Sequence, residues 1–214
     1  MTQTLVEEQT VKSRHRVRTY GEVFTPRHLV DLMLDLVRDE VESGPDFVDK
    51  TFLEPSAGDG NFLAAILRRK LRAIEQRYPT AKWSQESLFA IASIYGVELL
   101  EDNHQEAKAV MLAEFLSFHQ SHGVPVGADT DLYHAAQFLI ATNIVCGNML
   151  TGQTLTGQDI QFSWWNRVAG SPGLVHREPF TLVSLHGDAI DFTTYDSYQA
   201  CRIDEVHKEM RADV

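Results

Sequence analysis

The 214 residues include 43% hydrophobic and 23% charged side chains, which suits one folded domain, or one domain with an appendage, and argues against wholesale disorder. No apolar run approaches the roughly 18 residues of a membrane span, and MTQTLVEEQTVKSRHRVR lacks the apolar stretch of a secretory signal. A net charge of −11 disfavours the body of the chain as a general binder of nucleic-acid phosphates.

The charge is distributed unevenly. Residues 11–28 carry Lys12, Arg14, Arg16, Arg18 and Arg27 against Glu22, a local net of +4, so the remainder carries −15. A basic arm beside an acidic body suits contact with nucleic acid or an acidic partner, although a solvated tail has the same composition. Residues 1–20 are polar and are expected to form a flexible basic arm. A helix is expected from about Pro26, with Thr25 as its cap and Pro26 in its first turn. Leu29, Met33, Leu36 or Val37, and Val41 would give it an apolar face. Ser43 to Asp46 would end it.

The short apolar run Thr51–Leu53 predicts a strand that breaks into Glu54, Pro55, Ser56, Ala57, Gly58, Asp59 and Gly60. Phe62, Leu63, Ile66, Leu67, Leu71 and Ile74 then recur at helical spacing, to about Tyr78. A second strand is expected within Leu88–Glu98, helices over 102–119 and 130–141, and a third strand over Asn143–Asn148. Asp159–Phe162 and Phe180–Leu185 are expected as fourth and fifth strands, and the tail from Tyr195 as a helix. Strands alternating with helices predict an α/β fold, a Rossmann-like core with a mainly parallel sheet flanked by helices. The expected organisation is the arm over 1–20, the α/β domain over 21–193 and a helical tail over 194–214.

In an open sheet of this kind, ligands bind beyond the carboxyl ends of the strands, where strand order reverses. Gly58 and Gly60 permit the sharp turn and close backbone approach that such a site needs. Glu54 or Asp59 would repel a pyrophosphate; an acidic group there suits a cofactor carrying an ammonium and a sulfonium. Leu63 stands where a dinucleotide-binding loop needs a third Gly or Ala, which counts against NAD. Glu98, near the end of the second strand, is placed to accept hydrogen bonds from both ribose hydroxyls. Asn148, at the end of the third, is placed to pair with an adenine edge. Taken singly, each has a plainer explanation: a turn glycine, a surface charge, a helix cap. All three in order are harder to dismiss.

Gly21 to Pro26 (Gly-Glu-Val-Phe-Thr-Pro) followed by a helix, and then Phe52 to Leu63 around the glycine loop, resemble N6-adenine DNA methyltransferases of the restriction-modification kind. The resemblance covers roughly residues 20–150. It implies a class I methyltransferase core that binds S-adenosylmethionine, with Phe24, Thr25 and Pro26 at the methionine end of the cofactor. It likewise implies cofactor contacts from Glu54, Pro55, Ser56, Ala57, Gly58 and Gly60. Glu98 matches the ribose ligand, Leu99 the adenine-packing residue beside it, and Asn148 and Met149 the adenine-edge position.

The catalytic element of that family departs from this sequence. It consists of Asn, Asp or Ser, then two prolines and an aromatic residue, which receive the target amine and stack on a flipped base. No two prolines are adjacent in this chain. By chain order the nearest position is Ser163, Trp164 and Trp165, after the expected fourth strand; Ser171 to Leu174 is poorer because it lacks the aromatic. The tryptophans would stack a base if exposed, and they serve equally well in a core.

Cys146 and Cys201 form no metal or redox spacing, and no metal site is expected; reduced thiols in a cytoplasmic protein are the simplest reading. His119 and His122 lack a third ligand and read as the wet end of a helix. The leading expectation is a DNA methyltransferase acting on adenine N6. The alternative is a cofactor-binding subunit without its own catalytic element, working through a protein partner, with any DNA contact weak and carried by the arm. A methyltransferase for a small molecule or protein is a third option. The chain is short for a full enzyme of this family, which has further strands and a target-recognition region.

Overall fold

A computed structural model describes residues 10–185, 195–209 and 211. It shows an α/β fold with two small sheets. The first sheet has four strands in the order β1 (Phe52–Glu54), β2 (Ile94–Glu98), β3 (Ile144–Asn148) and β4 (Gln153–Thr154). β1, β2 and β3 run parallel, and β4 is antiparallel to β3. The second sheet is wholly antiparallel: β5 (Gln161–Arg167), β6 (Leu174–Thr181) and β7 (Cys201–Arg202). The parallel order expected from sequence therefore holds for the first three strands and not for the later ones. A tight connection from Val168 to Gly173, with Gly170 and Gly173 at positive φ, is too short for the crossover that parallel pairing needs.

Six α-helices occur among the described residues: α1 (Arg14–Tyr20), α2 (Arg27–Asp35), α3 (Asn61–Arg77), α4 (Trp83–Ala92), α5 (Glu101–Ser121) and α6 (Asp131–Asn143). α3 to α6 pack on one another and on β2. In α3, Leu63, Ile66, Leu67, Leu71 and Ile74 are all buried, each worth about 1.5–3 kcal/mol of apolar transfer. β2 is buried along its whole length between β1 and β3. Its Gly96 is closely enclosed: a Cβ would meet Leu63 at 3.1 Å and Ala57 at 3.4 Å. The glycine loop therefore packs directly onto this strand.

The expected second strand divides into two elements. Leu88 to Ala92 belong to α4 and only Ile94–Glu98 is strand. A short apolar run buried on every side does not distinguish helix from strand by periodicity. Of the expected apolar face, Val41 is buried and Val37 packs against the core, but the part within α2 is turned. Val30 and Leu34 are buried, while Leu29, Leu32, Met33 and Leu36 are exposed. The helix begins one residue later than Pro26, which occupies its N-cap.

Within the expected flexible arm, Arg14–Tyr20 is helical, with the Ser13 hydroxyl accepting the Arg16 N–H and Gly21 closing the helix in the left-handed region; residues 1–9 lie outside the described residues. The tail is a short strand and a 3-10 turn, Ile203–Lys208, with Ile203 and Val206 buried, where a helix was expected. The boundary at 193/194 and residues 210 and 212–214 lie outside the described residues. No described helix is long and apolar enough to cross a membrane.

Candidate functional site

The loop after β1, the end of β2 and the segment before α2 enclose a pocket of about 160 Å³. Of the residues singled out in the sequence, Phe24, Thr25, Ser56, Ala57, Gly58, Glu98 and Leu99 line it. Pro26, Glu54, Pro55, Gly60, Asn148 and Met149 are not among its lining residues.

Gly58 and Glu98 join the two strand ends. Gly58 has φ +56°, a region costly for residues with a Cβ, and its N–H donates to Glu98 Oε2 at 2.7 Å. The other carboxylate oxygen accepts the Leu100 N–H at 2.9 Å and the Asn103 side-chain amide at 3.4 Å. Glu98 is 5% exposed, so its negative charge is held by fixed donors rather than by water. A Cβ on Gly58 would meet the Phe24 ring at 3.2 Å; the absent side chain lets the segment before α2 close over the loop. Gly60 has a different job. Its Cβ would meet the Ala107 backbone at 2.7 Å, so it permits the start of α3 to cross α5.

Asp59 supplies a second acidic wall. Burial pushes its carboxyl above the ordinary range. Its side-chain oxygens accept two long hydrogen bonds from Asn61, 3.4 Å from the backbone N–H and 3.3 Å from the side-chain amide. Burial also raises the Glu54 carboxyl, against one 3.2 Å bond from the Ser56 N–H.

A polar strap crosses the same pocket. Glu22 is buried and takes two bonds from Arg16, at 2.7 and 2.6 Å, and one from the Asn103 amide at 2.7 Å. Burial opposes ionisation of Glu22, but the bonds from Arg16 and Asn103 outweigh it and hold the carboxyl below its usual range. Arg16 also grips Asp102 on α5, and Lys12 reaches Asp102, Asn103 and Glu106. Two of the basic side chains counted for the arm are thus paired with the chain's own acids, while Arg14 and Arg18 are exposed. Sequence reading placed neither Glu22 nor Asn103 in the site. Glu22 stood inside the Gly21–Pro26 segment as a signal; Asn103 had none, being one polar residue in a helix.

Asn148 caps a turn. Its Oδ1 accepts the Leu150 N–H at 2.9 Å and its carbonyl accepts from Thr151 and Gly152. Met149 packs against the core, half-buried.

Ser163, Trp164 and Trp165 sit on β5, away from this pocket. The Ser163 hydroxyl is fully buried and accepts from Arg177 Nε at 2.8 Å. Trp165 is 8% exposed, with its indole N–H on Asn143 Oδ1 at 2.9 Å. Trp164 stacks on Phe180, centroids 4.4 Å apart. Both tryptophans border a separate depression with Thr51 and Ser93, which precede β1 and β2, whereas the acidic pocket follows the carboxyl ends of those strands. The structure does not bring these three residues to the cofactor candidates.

His119, expected in water, is buried: its ring packs beside Phe115 and Phe118 and its Nε2 lies 2.9 Å from the Ser87 hydroxyl. His122 instead meets Glu75 and the Phe118 carbonyl. α5 runs against α3, α6 and β3, so its last turn is still within the core.

Comparison with protein-family models, with curated proteins and with solved structures finds no match to this chain.

Proposed function

We propose that this chain binds S-adenosylmethionine in the acidic pocket and serves as the cofactor half of an N6-adenine DNA methyltransferase. One observation carries the reading: Phe24, Gly58 and Glu98, from three separate stretches of sequence, meet in one pocket beyond the carboxyl ends of parallel strands. In this reading the first sheet is a reduced Rossmann-like core, and its strand ends are where such folds take their ligands.

The residues fit such a cofactor on their own chemistry. Asp59 is a half-buried carboxylate whose bonds from Asn61 are long, suited to an ammonium. Glu98 has acceptor capacity left after its bonds from Gly58, Leu100 and Asn103, suited to ribose hydroxyls. Leu99, about a third exposed, offers an apolar surface to a flat ring. When bound, the cofactor supplies an electrophilic methyl group; the protein's part is to bind and orient it. The pocket, at about 160 Å³, is smaller than the roughly 300 Å³ at the low end of small-molecule sites, so in this reading part of the cofactor lies outside it or the strap around Glu22 moves outward.

A second reading, a cofactor-binding subunit that works through a partner protein, is favoured by two observations. The residues nearest in order to the missing catalytic element are engaged in packing on β5. Leu29, Leu32, Met33 and Leu36, with 42–86% of their surface exposed, form an apolar stripe along α2 of the sort that marks protein contacts.

Calorimetric titration with S-adenosylmethionine tests the shared core of both readings. Wild type is expected to bind, and Gly58→Val to lose affinity because its side chain enters the space of Phe24. A folded wild type with no measurable affinity overturns the proposal. Label transfer from the cofactor to adenine-rich DNA, with the chain alone, then separates the two readings.

A further inference from the structure

Glu101 and His104 stand on the first turn of α5, and Cys146 lies on β3, which pairs with β2 just before that helix. One ligand atom from each, a Glu101 carboxylate oxygen, a His104 ring nitrogen and Cys146 Sγ, fall within 4.8 Å of one another. His104 is 8% exposed, and its Nε2 lies 2.8 Å from the Ile144 carbonyl. A carbonyl only accepts, so Nε2 carries a proton, and in the neutral ring the lone pair is on Nδ1. That Nδ1 is buried and has no hydrogen-bond partner. Its near neighbour, Glu101 Oε1, is at 3.6 Å, beyond hydrogen-bond reach. The Cys146 thiol lies 3.9 Å from the Leu99 carbonyl and also faces the Glu101 carboxylate, to which it donates. Three electron-pair donors thus converge around a buried, unpartnered Nδ1, and a cation there would take the place of the Cys146 thiol proton.

We infer that Glu101, His104 and Cys146 form a site for a borderline divalent cation, zinc being the best match. The donor set selects against calcium and magnesium, which take oxygen ligands, and for metals that accept thiolate and imidazole. The Ile144 carbonyl on the far side of the ring is the outer partner that metal-ligating histidines commonly have. Zinc bonds of ~2.0 Å to nitrogen and oxygen and ~2.3 Å to sulfur place tetrahedral ligand atoms about 3.5 Å apart. The Glu101 side chain is 58% exposed, and closing the remaining gap exchanges the 2.6 Å bond that its Oε1 accepts from Gln105 Nε2 for the cation. Three protein ligands leave a fourth position to water. A cation there ties the start of α5 to β3 across the turn of Leu99 and Leu100. The inference stands independently of the cofactor reading, since none of its three ligands lines the acidic pocket.

Cobalt(II) is the probe, added to the reduced, metal-stripped full chain. Intense visible d–d bands of a tetrahedral site are expected, with a thiolate-to-cobalt charge-transfer band in the near ultraviolet, both bleached by one equivalent of zinc. Cys146→Ser is expected to abolish the charge-transfer band and Cys201→Ser to leave it intact. His104→Gln, which retains a donor for the Ile144 carbonyl, and Glu101→Ala are expected to weaken zinc binding about tenfold or more. Circular dichroism verifies each variant's fold; because Glu101 is exposed, Glu101→Ala keeps the test decisive if Cys146→Ser fails to fold. Zinc is also expected to raise the melting temperature of wild type more than that of Glu101→Ala. Absence of tetrahedral bands, a charge-transfer band that survives Cys146→Ser, or equal zinc stabilisation of wild type and Glu101→Ala overturns the inference and leaves a histidine–glutamate contact only.

Discussion

Glu98 accepts the backbone N–H of Gly58 at 2.7 Å across 40 residues of sequence, making the end of β2 and the loop after β1 a single unit. Glu98→Gln retains one acceptor oxygen but replaces the other with a donor facing the Gly58 or Leu100 N–H. The dissociation constant for S-adenosylmethionine is expected to rise about tenfold or more. Glu98→Ala removes both acceptors and is expected to cost about 1–3 kcal/mol of stability as well. Calorimetry and urea unfolding on the two variants separate the effects. An affinity unchanged in Glu98→Gln returns this carboxylate to a purely structural role.

Basic charge on the arm is divided between two tasks. Lys12 and Arg16 are paired with Asp102, Glu106 and Glu22, and the exposed Arg14 and Arg18 are the side chains available to phosphate. Duplex DNA binding is expected to be weak at physiological salt. The double variant Arg14→Ala, Arg18→Ala is expected to abolish it and to leave cofactor affinity alone. Arg16→Ala, in contrast, is expected to change cofactor binding by loosening the strap. Fluorescence anisotropy across a salt series reads the first effect, because each lost phosphate contact lowers the salt slope by about one.

His119 makes stability depend on pH. Burial, with the neighbouring His122 adding to it, pushes its pKa down from 6.5 to about 4. The Ser87 hydroxyl donates to the Ser84 carbonyl, so it accepts from His119 Nε2–H, and the ring is neutral in the folded state. The unfolded chain takes up a proton first as pH falls, so the contribution is fully present above about 6.5. It is lost as pH falls from there to about 4, and is on the order of 3 kcal/mol in all. His119→Gln keeps a donor for Ser87 and is expected to flatten this part of the profile. Urea midpoints measured between pH 4 and 7 provide the check; an identical slope in the variant refutes it.

Lys70 anchors the entry to β1. Its ammonium donates to the Val48 carbonyl at 3.0 Å, the Lys50 carbonyl at 2.7 Å and the Ser93 hydroxyl at 2.6 Å, in a fully buried position. Burial pushes its pKa down to about 7. Lys70→Ala strips three acceptors of their donor and opens a cavity, and is expected to destabilise by about 2–4 kcal/mol. Thermal unfolding measures the loss.

The resemblance read in the sequence depends on local features: a Phe-Thr-Pro segment before a helix, a glycine loop after a strand, an acid at the next strand's end. Local chain geometry settles these, which is why β1, α3 and the third strand lie close to where periodicity places them. Burial is not local. The face of α2 follows the packing of Val30 and Leu34, and a pattern of leucines that satisfies either side of the helix does not reveal it. Leu88 to Ala92 are apolar throughout, so helix and strand were equally available until neighbours on all sides fixed one of them.

The sequence alone marked Phe24, Gly58 and Glu98 as candidates for one site, because side-chain type and turn geometry are written residue by residue. Tertiary structure decided which candidates meet. It brought Glu22 and Asn103 into the pocket, placed Trp164 and Trp165 before the opposite ends of β1 and β2, and buried His119. It also set Cys146 beside His104, where spacing along the chain offered no metal pattern. The physical reason is the same in each case. Strand order and helix packing assign neighbours across tens of residues, and whether a polar atom finds a partner or stays orphaned depends on those neighbours.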